Sequence, residues 1–202
     1  MKLTDIPVIF ICPDHNEKYA ERKEYMFTLL HKLGFKHVTM FKSGTEEYPR
    51  CLAKATRDIL REQLDNNPFL LFEDDLEVSE WANLDMDFDI PVDTDAFYLG
   101  FSIYGRTNTD YCNKIEYLSD KYIRILNMLS AHAILYVSKK YKQAVIDQME
   151  LVINATEIHH SDVFISRIQS SFNIYGYRYP FFYQSDKFGN PSGVKDATNF
   201  RF

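Results

Sequence analysis

In the run Phe69-Leu70-Leu71-Phe72-Glu73-Asp74-Asp75-Leu76-Glu77, four apolar residues lead into four acids within five positions. The apolar half predicts a strand leaving a core, and in open α/β sheets the carboxyl end of such a strand is where ligands bind. Alternation along an extended chain places Glu73, Asp75 and Glu77 on one face and Asp74 on the other. Carboxylates this close repel and raise one another's proton affinity unless a cation neutralises them. A hard divalent ion with oxygen ligands, Mn²⁺ or Mg²⁺, suits such a set, and these ions commonly share their shell with substrate phosphates. The competing reading is a strand that ends at the surface in solvated acids.

Three further groups of residues could carry chemistry. Cys12, Asp14 and His15 follow the first apolar run, with Arg22 further on. They could meet the base, ribose and diphosphate of a nucleotide, or form a plain polar loop. His159-His160-Ser161-Asp162 precedes an apolar-periodic segment. Ser161 or Asp162 could cap that helix, and Asp162 could instead act as a general base towards an acceptor hydroxyl. The adjacent histidines lack the spacing of a helical zinc pair. Tyr183-Gln184-Ser185-Asp186, followed by Phe188-Gly189-Asn190-Pro191-Ser192, offers amides and hydroxyls for sugar or phosphate, or forms a surface tail. His132 reads as a structural histidine. No Gly-x-Gly-x-x-Gly or Walker sequence occurs, which disfavours dinucleotide enzymes and P-loop NTPases. Cys12-Pro13-Asp14-His15 lacks the second Asp that an aspartyl phosphatase motif requires.

These groups need elements to hold them. Residues 6–12 read as a buried strand. A helix from about residue 17 carries Met26, Leu29, Leu30 and Leu33 as one stripe, with Gly34 at its left-handed C-cap. Residues 37–41 form a second strand, 49–64 a helix and 69–72 a third strand. This βαβαβ order implies a parallel sheet with right-handed crossovers, the first half of a nucleotide-binding α/β fold. Later come strands at 96–101 and 133–137, helices at 139–152 and 162–172, and a Tyr/Phe-rich strand at 175–183. Residues 102–124 have no clear period and suit a binding loop. The tail from 184 onwards reads as a lid or the start of a linker.

At 202 residues the chain suits one α/β domain, residues 1–202. A net charge of −6 without a basic run argues against a nucleic-acid partner. Cys12, Cys51 and Cys112 are odd in number and far apart, which fits reduced thiols and a cytoplasmic location. No signal peptide or membrane-spanning segment is expected.

The order of motifs resembles small GT-A-type glycosyltransferases. It is most similar to the lipooligosaccharide and collagen galactosyltransferase family and to related domains of large viruses, for which the location would be host cytoplasm. The segments that carry the resemblance are Arg50-Cys51-Leu52-Ala53-Lys54, Leu71-Phe72-Glu73-Asp74-Asp75 and Ala96-Phe97-Tyr98-Leu99-Gly100. The run from Ser130 to Ser138 and the late Asp162, Pro180, Gln184 and Ser192 complete it. Arg50 and Lys54 depart from the family's usual Gly and His, and Arg22-Lys23 is all that remains of its Arg-rich turn. The resemblance implies a single GT-A-like, Rossmann-like α/β domain with a mixed, mainly parallel sheet, in which residues 1–100 bind nucleotide and metal and 101–202 form the acceptor side. It implies transfer of a hexose from a UDP-sugar to a hydroxyl acceptor with inversion. Asp75 and Glu73 would hold Mn²⁺ or Mg²⁺, Cys12, Asp14, His15, Arg22 and Asp74 would surround the nucleotide, and Asp162 would be the base. The alternative is a non-catalytic glycan- or partner-binding module, and the end at Phe202 leaves room for further catalytic domains in a longer chain.

Overall fold

The first five elements follow the order expected from the apolar pattern. In a computed structural model, which describes residues 2–84, 86–101, 114–129, 132–185 and 187–188, they are β1 (Val8–Cys12), α1 (Glu17–Lys32), β2 (Val38–Lys42), α2 (Arg50–Glu62) and β3 (Phe69–Phe72). Asn16 starts α1 by accepting the Tyr19 N–H on its side chain (3.3 Å). Gly34 ends the turn at φ +83°, a conformation costly for residues with a Cβ. Then follow β4 (Leu76–Val78), β5 (Ala96–Gly100), β6 (Lys114–Tyr117), β7 (Tyr122–Asn127), β8 (Ala133–Tyr136), α3 (Lys139–Asn154), α4 (Ser161–Ile168), β9 (Ile174–Tyr177) and β10 (Phe182–Gln184). Residues 102–113 of the expected binding loop, Cys112, Ser130-Ala131, Asp186 and the tail from 189 to 202 lie outside the described residues.

The main sheet runs β2-β1-β3-β8-β5-β9-β7-β6. β1 is parallel to both neighbours, as the βαβαβ pattern predicts. β8 enters between β3 and β5 antiparallel to both. In this path β8 and β7 run against the other strands, so the sheet is mixed and mainly parallel. β4 and β10 pair with each other off the path, and β10 touches β5 through Phe182 and Gly100.

Two apolar layers cover the sheet. On one face α2, α3 and α4 pack Ile59, Val145, Met149 and Ile165 onto Ile11, Leu71, Tyr98 and Tyr136. On the other, Met26 and Leu30 of α1 meet Phe10, Leu70, Phe72 and Leu135. Burial on both faces explains why β3 is continuously apolar. Among the described residues, no helix is long and apolar enough to cross a membrane.

Three expectations need correction. The strand does not continue through the acids: it ends at Phe72 and the chain turns at Asp74 and Asp75, so simple alternation does not set the carboxylate directions. Turning lets each acid find its own partner, whereas an extended run would carry several charges into the sheet. The expected strand at 175–183 divides into β9 and β10 around Pro180, whose carbonyl accepts from Ser79 Oγ and Trp81 Nε1 (both 2.9 Å). The region expected as a loop up to residue 124 contains the β6–β7 hairpin, whose outer strand is largely exposed and so lacks an apolar period.

Candidate functional site

The acidic turn stands at the carboxyl end of β3. The Glu73 N–H donates to the His132 carbonyl (3.0 Å), continuing the β3–β8 ladder one residue past the strand. His132 is buried, and burial lowers its imidazole to about 4, so it is neutral at physiological pH. It fits there because residue 100 is glycine: a Cβ on Gly100 would lie 2.5 Å from His132 Nε2.

Four carboxylates in five positions are separated by four environments. Glu73 keeps some accessible surface but sits below the local protein surface, and Gln184 Nε2 donates to its Oε2 (3.0 Å). Burial, then the charges of Asp75, Asp162 and Asp74, raise its proton affinity well above the ordinary carboxylate range. Asp74 is buried and accepts Arg22 on Oδ1 (2.9 Å), while its Oδ2 makes no hydrogen bond among the described residues. Asp75 is also buried, and its carbonyl accepts the Ser185 N–H (2.6 Å). Glu77 is held by three donors within the protein: it accepts Tyr183 OH (2.6 Å), Ser185 Oγ (2.7 Å) and Lys187 Nζ (2.7 Å). Burial opposes its ionisation, but these donors outweigh it and hold the carboxyl at about 2.

Arg22 occupies a different place from the one its sequence position suggests. Its second nitrogen donates to the Phe188 carbonyl (3.1 Å), and the guanidinium lies 5.2 Å from the Phe188 ring centre. Arg22 thus ties α1 to the acidic turn and to the chain after β10. Cys12 lies behind it with its side chain sealed from solvent, and burial, reinforced by the Asp74 charge, pushes the thiol up to about 12. The nucleotide contact expected at Cys12 therefore has no accessible thiol to use, because β1 carries that side chain into the apolar layer beside α1. Asp14 and His15 do stand on the open loop after β1: Asp14 pairs with Lys42, and the His15 ring lies 4.9 Å from that of Tyr19.

Asp162 comes to the same centre from the far end of the chain. It sits in the first turn of α4, and its Oδ1 accepts the Val163 N–H (2.8 Å). The N-cap is His160, without a side-chain cap bond, so neither Ser161 nor Asp162 fills the expected N-cap position. Tyr48, which the sequence reading did not single out, joins this centre. Its ring is 60% exposed and lies 5.7 Å from the His160 ring. Packing around its hydroxyl, then the charges of Glu73, Asp162 and Asp75, raise that hydroxyl to about 12. No motif marks Tyr48; only its place just before α2 could have drawn attention.

The donors fit a hard cation that takes part of its shell from a ligand. No three His, Cys, Asp or Glu side chains among the described residues form a complete metal cage. Glu73 and Asp75 nevertheless bring carboxylate oxygens into one region, where burial first and then the charges of Asp75, Asp162 and Asp74 raise the proton affinity of Glu73. A Mg²⁺-type site needs only one or two protein carboxylates when phosphates complete it. The two departures from the resembled pattern have structural partners: Arg50 donates to the Ala155 carbonyl (2.7 Å), and Lys54 pairs with Glu46.

No protein-family model matches the chain, and no curated protein sequence matches it. Among solved structures, it is similar to a glycosyltransferase involved in the glycosylation of the major capsid of PBCV-1. The TM-score is 0.52 at 10% identity, over 88% of this chain and 92% of that one. The chain thus shares its α/β fold with that protein, and in it the acidic turn follows β3 and Asp162 lies in the first turn of α4.

Proposed function

We propose that this chain is a metal-dependent glycosyltransferase that moves a hexose from a nucleotide-diphosphate sugar, a UDP-sugar first among them, to an acceptor hydroxyl with inversion. The observation that carries the reading is the convergence of Glu73 and Asp75, from the turn after β3, and Asp162, from α4, on one electrostatic centre in a fold similar to that of a glycosyltransferase. Glu73 and Asp75 would hold Mn²⁺ or Mg²⁺, which supplies Lewis-acid neutralisation of the diphosphate when bound. Asp14 and His15 face the nucleotide. Arg22 and Asp74 act behind them by fixing the turn, and Gln184 orients Glu73.

Asp162 accepts the acceptor hydroxyl proton as that oxygen bonds to the anomeric carbon. The anomeric C–O bond to the diphosphate breaks, and its electron pair leaves with the nucleotide. Such a displacement needs the attacking oxygen about 3–3.5 Å from carbon and in line.

Calorimetry with UDP-sugars, with and without Mn²⁺, tests the donor and metal. Metal-independent binding, or binding unchanged in Asp75→Ala, counts against the metal bridge. Asp162→Asn should retain donor binding and lose transfer by at least about 100-fold, the scale of one general base. Unchanged turnover in that variant removes the base assignment, and a wild-type protein that binds glycans without turnover fits a binding module instead.

A further inference from the structure

Two exposed rings border the carboxylates without a part in holding the donor or moving the proton. Tyr48 precedes α2 and His160 precedes α4; both residues are exposed, and their ring centres are 5.7 Å apart. A single exposed tyrosine needs no explanation, but this one is held in place from both sides. Arg50 donates to the Ala155 carbonyl (2.7 Å), which ties the start of α2 to the segment leading into α4, and Lys54 pairs with Glu46 just before Tyr48. His160 is the N-cap of α4, yet its imidazole makes no cap bond. It stands two residues before Asp162, and the charges of Glu73, Asp162 and Asp75 reach the Tyr48 hydroxyl. An aromatic pair drawn from two distant segments therefore meets the acidic centre on its solvent side.

We propose that Tyr48 and His160 form the acceptor platform: the face of the Tyr48 ring carries a neutral pyranose, one hydroxyl of which is presented to Asp162. The assignment rests on the glycosyltransferase reading and deepens it by naming the acceptor class. A pyranose has C–H groups on its faces and hydroxyls round its edge, so it can bury one face on an aromatic ring while its hydroxyls keep polar partners. The donor has no need of this surface, since its diphosphate belongs with the cation at Glu73 and Asp75. An anionic acceptor suits it poorly. A divalent cation shared by a nucleoside diphosphate and two carboxylates leaves net negative charge, Asp162 and the neighbouring Glu47 add to it, and like charges brought together are costly. An extended peptide would look for backbone partners or side-chain pockets, which two exposed rings do not supply.

An array of neutral and acidic glycans, probed with the whole chain in Mn²⁺ and UDP, tests the assignment on the wild type, Tyr48→Ala, Tyr48→Phe and His160→Ala. The wild type should retain glycans that end in a neutral pyranose and leave those that end in a uronic or sialic acid. Tyr48→Ala should weaken that binding about tenfold, the scale of burying one ring face. His160→Ala should show a smaller loss in the same direction, and Tyr48→Phe, which keeps the ring, should stay within about twofold. Since both residues are exposed, each variant should melt within about 2 °C of the wild type and bind UDP-sugars in Mn²⁺ as the wild type does. No glycan binding, a preference for acidic ends, or undiminished binding by Tyr48→Ala overturns the platform. A Phe variant as weak as the Ala variant moves the role to the hydroxyl and overturns the stacking. If UDP-sugars bind and glycans do not, the platform alone falls. If glycans bind through Tyr48 and no UDP-sugar binds, the transferase reading falls and the rings remain a glycan-binding surface.

Discussion

Glu73 shows how burial and neighbouring charge can act against the ionised form of a side chain. Its ionised form is disfavoured by burial and by Asp75, Asp162 and Asp74, and among the described residues the Gln184 amide supports it. Because its folded-state proton affinity is raised, ionised Glu73 takes stability away as pH rises above its ordinary value of 4.5. Glu73→Gln keeps the shape and can keep the Gln184 bond without the charge. In EDTA at neutral pH the variant should be more stable by about 0.5–2 kcal/mol, with the gain vanishing in acid and transfer activity lost. Denaturant melts at several pH values check this, and a variant less stable than the wild type at neutral pH contradicts it. The carboxylate cluster itself was legible in the sequence. The partners that differentiate its members were not, because Arg22, Gln184 and Asp162 are distant along the chain and no local pattern records their approach.

The elements that carry these residues depend on a few close fits. Gly100 ends β5 against His132, and Gly100→Ala would press a methyl into the imidazole. Overpacking of this kind costs about 1–3 kcal/mol, so its unfolding midpoint in urea should fall, with loss of activity following from displacement of the His132 carbonyl that holds the Glu73 N–H. An unchanged midpoint would mean that His132 moves freely. Asp95 joins β5 to β9 and α3 in the same way: its Oδ2 accepts the Asn173 N–H (2.9 Å) and Lys140 Nζ (3.0 Å). Burial opposes its charge, but bonds from Ser138, Asn173 and Lys140 outweigh this and lower its proton affinity. A depressed carboxylate stabilises the fold above its unfolded value near 3.8 and loses that contribution as pH falls through the folded value. Asp95→Asn should therefore cost about 1.5–3 kcal/mol at neutral pH, with the gap from the wild type closing in acid; a gap independent of pH argues against the ionised form. The first five elements were readable because each is a long apolar stripe or run. β4, β6 and β10 were not, since they are short and half-exposed, and their pairing depends on partners remote in sequence.

On the scale of the molecule, the parallel β1–β2–β3 half presents the acidic turn, and the antiparallel insertion of β8 leads through α3 to α4 and Asp162. The βαβαβ half was legible as a parallel-sheet pattern. The mixed order of the second half was not, because a strand's neighbours in a sheet are not encoded in its own periodicity. Joining the halves around these acids should make the free protein a poor binder of a bare diphosphate, since Asp75 and Glu73 would oppose it and Arg22 is engaged by Asp74 and the Phe188 carbonyl. Cation and nucleotide should therefore stabilise the fold together far more than either does alone, each completing the other's site. With Mn²⁺ present and UDP at about 100 times its dissociation constant, linkage gives about 2.7 kcal/mol. For a chain of this size that corresponds to a rise in melting temperature of about 5–11 °C. Differential scanning fluorimetry with UDP, Mn²⁺ and both should show small separate shifts and a joint shift larger than their sum. Equal shifts with UDP in Mn²⁺ and in EDTA would mean that the carboxylates do not meet the diphosphate through a cation, and would return the acidic turn to a structural role.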